Sequence, residues 1–582
     1  MLTVKGAIGL VPKSIRAKLK KNAKLTALYS RSLHKSGLFY GLPSKKKFLA
    51  LYKQFLKWQT QTLDSKVIAL KENEETLAHS LRVVVLGKDN VHKTLDSLRA
   101  SSSNLTICVI AEELASQAFD EVTWLDVTVF PSFSDLPLHS EACVGTLLVN
   151  SGDTLHPHAM ALFSDALKRS DVVYSDTDMM DSNGQCQSPR FFPKWNADLQ
   201  FTTAYVNTGV AVSQKVFHRN RPLLTKASIV DIAQLLSLLW IKESSLKIAH
   251  LPFTLVNTSP TLRKQAKYIS QVAEVINNSG CAVAVTDEHK GINQLLWPAK
   301  EQPLVSLIIP TKNAWQLVQA CIYSILEKTR YENYEILLID NGSDEPDSLA
   351  YFNRLTSHPK IRVLRYPAPF NYSAINNFGV QHAKGEVIGL INNDIEVISG
   401  DWLTYMVGHA LREEIGCVGA RLYYSDDRVQ HAGVVMGYGG GAGHAHKYFP
   451  RNHSGYLKRL AATQQYSAVT AACLLVKKSL YEAVGGLNET LAVAFNDVDF
   501  CLRVRETGVA NLYCAEAELY HHESVSRGLD TEPEKAARFN RELNYLQTTW
   551  HKVIAADPAY SPNLTLKREN FSIKEKSEYS TS

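Results

Sequence analysis

Four short apolar runs mark the second half of the chain, and each ends in polar turn formers. They are "LVSLIIPT" (304–311), "YEILLID" (334–340), "IRVLRYP" (361–367) and "VIGLINND" (387–394). Between the first two, apolar residues recur at Leu317, Cys321, Ile322 and Ile325, the spacing of one helix face. Further helical patterns run near Tyr372 to His382 and Asp401 to Leu411. Continuous apolar strands alternating with helices predict an α/β fold whose mostly parallel sheet is flanked by helices on both faces. Ligands of such sheets bind beyond the carboxyl ends of the strands. Those ends deliver Thr311, Lys312 and Asn313, then Asp340 and Asn341, then Asn392, Asn393 and Asp394 to one edge.

A fainter copy of this pattern lies upstream. "LRVVVLGKDN" (81–90), a helical "VHKTLDSLRA" (91–100) and "LTICVIAEE" (105–113) repeat the strand, helix and strand that begin at Val305. "TLLVNSGDTLHP" (146–157) places Asp153 opposite Asp394. An internal duplication is predicted. Four segments follow: a basic amphipathic N-terminal segment (1–62), a degenerate copy of the domain (63–296), the intact copy after the connector "WPAKEQP" (297–556), and a tail (557–582).

Charge changes the picture only at the start of the chain. The 582 residues carry a net +6, yet the first 62 hold fourteen Lys and Arg and no Asp or Glu, so the remainder is acidic on balance. Apolar and aromatic residues interleave with those cations, including Phe48, Tyr52, Phe55 and Trp58. Such a segment fits a helix on an anionic membrane surface, or a solvated basic helix packed on its own domain. No nucleic-acid motif accompanies it, and nucleic acid is not expected as a partner. No apolar run reaches the 18 residues or so of a membrane span, and no secretory leader is evident. The expected location is cytoplasmic, peripheral on the inner membrane face. Nine cysteines without CxxC spacing point to reduced, mostly buried thiols.

The candidate chemistry sits at the acidic turns. Asp394 at a strand mouth is placed to ligate Mg²⁺ or Mn²⁺, which favour oxygen ligands and take few from protein. In "VAFNDVDFCLR" (493–503), a helix from Asn496 buries Phe500, Cys501 and Val504 and turns Asp497 inward. Asp499, four residues before Arg503, is expected to form an exposed ion pair. A strand ending at His521 and His522 adds an imidazole near the same edge. "GYGGGAG" (437–443) is not expected to bind a dinucleotide, because it closes no first strand of a βαβ unit. It reads instead as a flexible loop beside an acceptor, with His444 and His446 of open role.

The order and wording of these motifs resemble the inverting glycosyltransferases of family 2, which have the GT-A fold. The resemblance is strongest to the bacterial subgroup of O-antigen and surface-polysaccharide enzymes, rhamnosyltransferases among them. It rests on "IIPTKN", "LLIDNGSDE", "PFNYSAINNFG", "INNDIEVISGDWL", "VQHAGVV", "AVTAACLLV", "AFNDVDFCLR" and "YHHESVSRG". The resemblance implies metal-assisted transfer from a nucleotide-sugar donor, a UDP- or dTDP-sugar, to a glycan or lipid-linked acceptor. It assigns Pro310, Thr311, Lys312, Asn313, Asp340, Asn392 and Asn393 to the nucleotide-sugar, Asp394 and His521 to the cation, and Asp497 to the general base. Asn392 and Asn496 depart from the family pattern, replacing an Asp and a Glu. In the upstream copy Ile229 aligns with Asp497, Asp231 with Asp499 and Asn257 with His521, so that copy lacks the base. The rival readings are a non-catalytic glycan- or nucleotide-sugar-binding scaffold and a nucleotidyltransferase.

Overall fold

The computed structural model describes residues 42–72, 80–99, 105–111, 127–136, 143–181, 185–226, 229–259, 267–299, 301–522 and 533–579. Basic residues 1–41 of the N-terminal segment lie outside the described residues.

The chain begins with helix α1 (Lys45–Glu72) and then builds a first sheet. Its strands are β1 (Ser80–Leu86), β2 (Ile107–Ile110), β3 (Val127–Phe130), β4 (Cys143–Asn150), β5 (Thr154–Leu155), β6 (Val172–Met180), β7 (Cys186–Arg190), β8 (Val210–Ser213) and β9 (Ile248–Thr258). Helix α2 (Ile232–Lys242) precedes β9, and helix α3 (Lys267–Ser279) follows it. A hairpin of β10 (Val283–Asp287) and β11 (Ile292–Leu296) leads to the second sheet. That sheet contains β12 (Val305–Thr311), β13 (Tyr334–Asp340), β14 (Ile361–Arg365), β15 (Val387–Ile391), β16 (Ile395–Val397), β17 (Ile415–Tyr423) and β18 (Val429–His431). A small hairpin, β19 (Val434–Met436) with β20 (Ala442–His444), stands apart, and β21 (Gln464–Tyr466), β22 (Cys473–Lys477) and β23 (Ala510–His521) complete the sheet. Helix α4 (Asn496–Glu506) lies between β22 and β23, and helix α5 (Pro533–Thr549) follows.

The duplication is written in the strand order. The first sheet runs β3-β2-β1-β4-β8-β6-β9-β5 and the second β14-β13-β12-β15-β22-β17-β23-β16. The two paths match position by position, including which neighbours are parallel (β1 with β2 and β4, β12 with β13 and β15) and which antiparallel (β4 with β8, β15 with β22). Register agrees as well: Thr154 pairs with Asn257 as Ile395 pairs with His521. The mostly parallel sheet expected of the apolar strands is found in both copies, with antiparallel strands joined to it. The central parallel strands β13 and β15 are buried throughout, while the parallel edge strands β14 and β3 are part-exposed.

The basic amphipathic segment divides on inspection. On α1, Tyr52, Phe55 and Leu63 are buried, Tyr52 donates to Asp178, and Trp58 stacks on Tyr579 of the tail at 4.8 Å. The aromatic face expected at a membrane is instead consumed by this domain and the tail, because Phe191 and Tyr579 offer it apolar surface.

The halves are pinned together. Arg412 reaches Asp198 of the first half at 2.6 Å, both side chains buried, with its guanidinium 4.0 Å over the Trp297 ring. The tail crosses the seam, where Asn563 Nδ2 donates to Asp176 Oδ2 at 3.0 Å. The other Asp176 oxygen accepts from Phe192 N and faces His250 Nε2, each at 2.7 Å.

Candidate functional site

At the carboxyl edge of the second sheet, Thr311 and Asp340 are register partners on adjacent strands. Asp340 is buried; Oδ1 accepts from Ser343 N at 2.8 Å and Oδ2 from Arg365 at 2.7 Å. Asn313, in the left-handed backbone region, ties the two strand-end loops, with Nδ2 to Asp344 at 2.8 Å and N to Ser343 Oγ at 2.7 Å. Asn393 Nδ2 donates to Thr311 Oγ1 at 3.0 Å. Pro310 is half-buried and Lys312 exposed on the same edge.

Asp394 follows β15 and abuts β16, whose pairing with β23 sets His521 beside it. Asp394 Oδ1 lies 3.2 Å from His521 Nε2 and is buried without a hydrogen-bond partner. His521 Nδ1 points to Gln430 Oε1 at 2.7 Å. That acceptor fixes the proton on Nδ1 and leaves Nε2 with its lone pair toward Asp394, the arrangement of a metal-ligating histidine. An imidazole lone pair and a carboxylate oxygen at this separation repel unless a cation lies between them, so the pair fits a divalent ion. Among the described residues no third His, Cys, Asp or Glu joins it. Asn392 Nδ2 lies 3.1 Å from His521 Nε2, and its Oδ1 accepts from Tyr372 OH at 3.3 Å. A carboxylate in its place would add charge but no donor.

Asp497 is the second residue of α4. Phe495, in the left-handed region at φ 60°, turns the chain into the helix, and Asn496 holds that turn through Asp497 N to its own Oδ1 at 2.7 Å. Asp497 Oδ2 accepts from Ala471 N at 3.0 Å and Oδ1 from Val498 N at 2.9 Å, and with the Thr470 hydroxyl also bonded to the carboxylate a lone pair is left over. Burial pushes its carboxyl above the ordinary aspartate value despite these bonds.

Asp499 is the correction. Its pair with Arg503 exists, at 2.9 Å, but the carboxylate is fully buried and also faces Trp550 Nε1 at 3.0 Å and Tyr545 OH at 3.4 Å. The end of α5 and Trp550 just after it fold over it, so the pair is a core contact rather than an exposed one.

A cavity of about 410 Å³ brings Asp497, Asn392 and His521 together with Tyr372, Gln430 and His444. Pro310 to Asn313, Asp340, Asn393 and Asp394 are not among its lining residues. Sequence reasoning had left His444 open and passed over Tyr372 and Gln430, though each stands inside a quoted motif or beside one. The glycine-rich stretch is the β19–β20 hairpin, closed by Gly437 at φ 97° and Gly440 at φ 79°, and its β20 strand walls the cavity. His431 Nε2 accepts from Gly433 N, so its Nδ1 donates to His444 Nδ1 at 2.8 Å, and burial pushes both imidazoles down, His444 to about 3. His444 thus stays neutral in the cavity at working pH. His446 is buried behind it, accepting from Tyr456 N at 3.1 Å.

In the first half Asn257 stands where His521 does and donates to Asp178. Helix α2 starts at Ile232 with Asp231 as its cap, as α4 starts at Asn496 after Phe495. Counting from those starts, Ala233 rather than Ile229 matches Asp497, a slip of four residues. Neither side chain accepts a proton.

Residues 306–485 match Glycosyl transferase family 2. An uncharacterised protein of Sinorhizobium fredii, y4gI, is 42% identical over 446 residues, 73% of this chain and 49% of that protein. The O-antigen biosynthesis protein RfbC of Myxococcus xanthus is 30% identical over 442 residues, 73% of this chain and 34% of that protein. The N-acetylglucosaminyl-diphospho-decaprenol L-rhamnosyltransferase of Mycobacterium tuberculosis is 26% identical over 230 residues, 36% of this chain and 74% of that protein. The chain spans half or less of the length of the first two relatives.

Proposed function

We propose that this chain, whose second half carries a domain of glycosyltransferase family 2, moves a sugar from a nucleotide-sugar to a hydroxyl of a growing surface glycan or lipid-linked oligosaccharide, inverting the anomeric carbon. The observation that carries the reading is Asp497, a carboxylate of raised proton affinity in one cavity with His521 and Asn392. Inversion needs a base on the face opposite the leaving group. As the acceptor oxygen bonds to the anomeric carbon and the carbon–oxygen bond to the diphosphate breaks, the acceptor proton passes to a free lone pair of Asp497. The helix N-terminus and the N–H groups of Ala471 and Val498 hold the carboxylate in place.

Asp394 and His521 would hold a divalent cation, Mg²⁺ or Mn²⁺, with Gln430 orienting the imidazole. Bound there, it would offset charge on the departing diphosphate. The strand-end residues Pro310 to Asn313, Asp340 and Asn393 would receive the nucleotide of a UDP- or dTDP-sugar, with Asn341 carrying the loop behind them through donation to Tyr366 O and Ala368 O. Neutral His444 and Tyr372 would hydrogen-bond the acceptor. Among the described residues no helix is long and apolar enough to cross a membrane. The acid-free residues 1–41 would meet an anionic membrane surface, where lipid-linked acceptors reside. The relatives named for O-antigen synthesis and for rhamnosyl transfer support the glycan class of acceptor.

The experiment is mass spectrometry of the purified chain with UDP-, dTDP- and GDP-sugars and lipid-linked acceptors. The expected result is one donor yielding a product heavier by one glycosyl unit, with the linkage inverted by NMR. Retention of configuration, or release of pyrophosphate in place of a nucleoside diphosphate, would sink the reading.

A further inference from the structure

The first sheet ends in a cavity of its own, about 260 Å³, at the carboxyl ends of β1 and β4. Its place in the duplicated strand order is that of the strand-end residues of the second sheet. Gly87 and Lys88 follow β1 as Lys312 and Asn313 follow β12, and Ser151 to Asp153 follow β4 as Asn392 to Asp394 follow β15. The chemistry has diverged. Asp394 keeps a buried oxygen without a hydrogen bond, whereas Asp153 accepts from Thr208 Oγ1 at 2.7 Å with Oδ2 and from Ser259 N at 3.0 Å with Oδ1. Asp153 therefore braces the strand ends, and with Asn257 in the histidine position the cavity has no ligand pair like that of the second half.

What remains is suited to a neutral, hydroxyl-rich ligand. Asn207, Tyr268 and Gln271 line the cavity with amides and a phenol, and Asp89 and Asp231 add carboxylates. Lys88 and Arg190 are outnumbered by Asp89, Asp153 and Asp231, so a diphosphate would meet excess negative charge. The volume is below the roughly 300–1,000 Å³ of pockets that enclose drug-sized ligands and suits one sugar ring better than a whole nucleotide-sugar. Carboxylates and amides pair with sugar hydroxyls as both acceptors and donors, and Tyr268 adds an aromatic surface.

We infer that the first domain is a glycan-binding module whose cavity takes a single neutral sugar unit, held by Gln271, Asn207, Asp231 and Tyr268 without turnover. The inference leans on the sugar-transfer reading only for the source of that sugar, a unit of the same glycan.

The test is binding to the full chain, which reads independently of transfer. Saturation-transfer NMR would be run with methyl α-L-rhamnoside, methyl α-D-mannoside and methyl N-acetyl-β-D-glucosaminide, on wild type, Tyr268→Ala, Gln271→Ala and Asp497→Asn. Tyr268 and Gln271 are both part-exposed on α3, so two independent variants guard against a folding artefact, with thermal melts as the check. At least one glycoside is expected to bind, at least about fivefold more weakly in both α3 variants and unchanged in Asp497→Asn. Transfer to a short soluble acceptor should be unaltered by either α3 variant; failure of transfer in every sample would count against the enzyme reading and leave the binding result standing. No signal from any of the three glycosides, equal signal in the α3 variants, or displacement of the glycoside by UDP would overturn the inference.

Discussion

The two acids at the start of α4 lie two residues apart, and their substitution by Asn should break different things. Asp499 is fully buried and faces Arg503, Trp550 and Tyr545. Asn preserves its shape but removes the charge and sets an NH₂ group against one of those donors. Breaking a buried pair costs about 3–5 kcal/mol, and a charged hydrogen bond is worth about 1.5–3. Arg503 is 23% exposed and can recover some hydration, which brings the expected loss to about 2–3 kcal/mol. For a domain of this size that is a fall in Tm of about 5–10 °C. Asp497 accepts from the N–H groups of Ala471 and Val498 and from the Thr470 hydroxyl, with no charged partner, and is held in a desolvated place, so Asp497→Asn should melt within about 2 °C of wild type. Its turnover, however, should fall by about 10²–10⁴. Circular dichroism melts and release of nucleoside diphosphate, measured where both variants are folded, give the two readings. Equal melting of Asp499→Asn and wild type would refute the buried-pair argument. Turnover of Asp497→Asn within a few-fold of wild type would remove Asp497 from the chemistry.

Because burial raises the Asp497 carboxyl, kcat/KM should decline as pH drops through that raised value, above the ordinary aspartate range, and the residual rate of Asp497→Asn should lack this limb. The sign for stability is opposite to that of a salt-bridged acid: the folded state holds this proton more tightly than the unfolded chain, so Asp497→Asn should gain stability over wild type at neutral pH and lose the advantage at acid pH, read from urea midpoints. Gln430→Leu should weaken Mn²⁺ binding by about 10–100-fold in an EPR titration, and unchanged affinity would dismiss Gln430 as the residue orienting His521. Asp153→Ala should cost about 1–3 kcal/mol in urea unfolding of the first half while leaving turnover within a few-fold; a loss like that of Asp394→Ala would make the first half catalytic.

The parallel strands and their polar ends were legible because a strand buried on both faces must be apolar throughout, which leaves "IIPTKN" and "INNDIEV" conspicuous at their stops. The duplication was legible for the same reason, and the pairing of Asn257 with His521 agrees in register. The antiparallel half of each sheet was not, since β8 and β22 join by long-range pairing that no local period encodes. The exposed reading of Asp499 failed because an i,i+4 spacing describes one helix and says nothing of Trp550, 51 residues on, folding over it. The aromatic face of α1 misled in the same way: amphipathicity reports that a face needs cover, and Phe191 and Tyr579 supply it from elsewhere in the chain.

The clasp between Asn563 and Asp176 has a consequence for how the protein is made. The two residues are separated by 387 positions, so a ribosome working at about 5–20 residues per second presents Asp176 roughly 20–80 s before its partner exists. During that interval the first sheet can form, but its buried carboxylate and the His250 beside it stand open to water or to a chaperone. Emergence of Asn563 from the exit tunnel is then the event that seals both halves, which makes a stop codon ahead of that residue a lesion of the first domain as much as of the second.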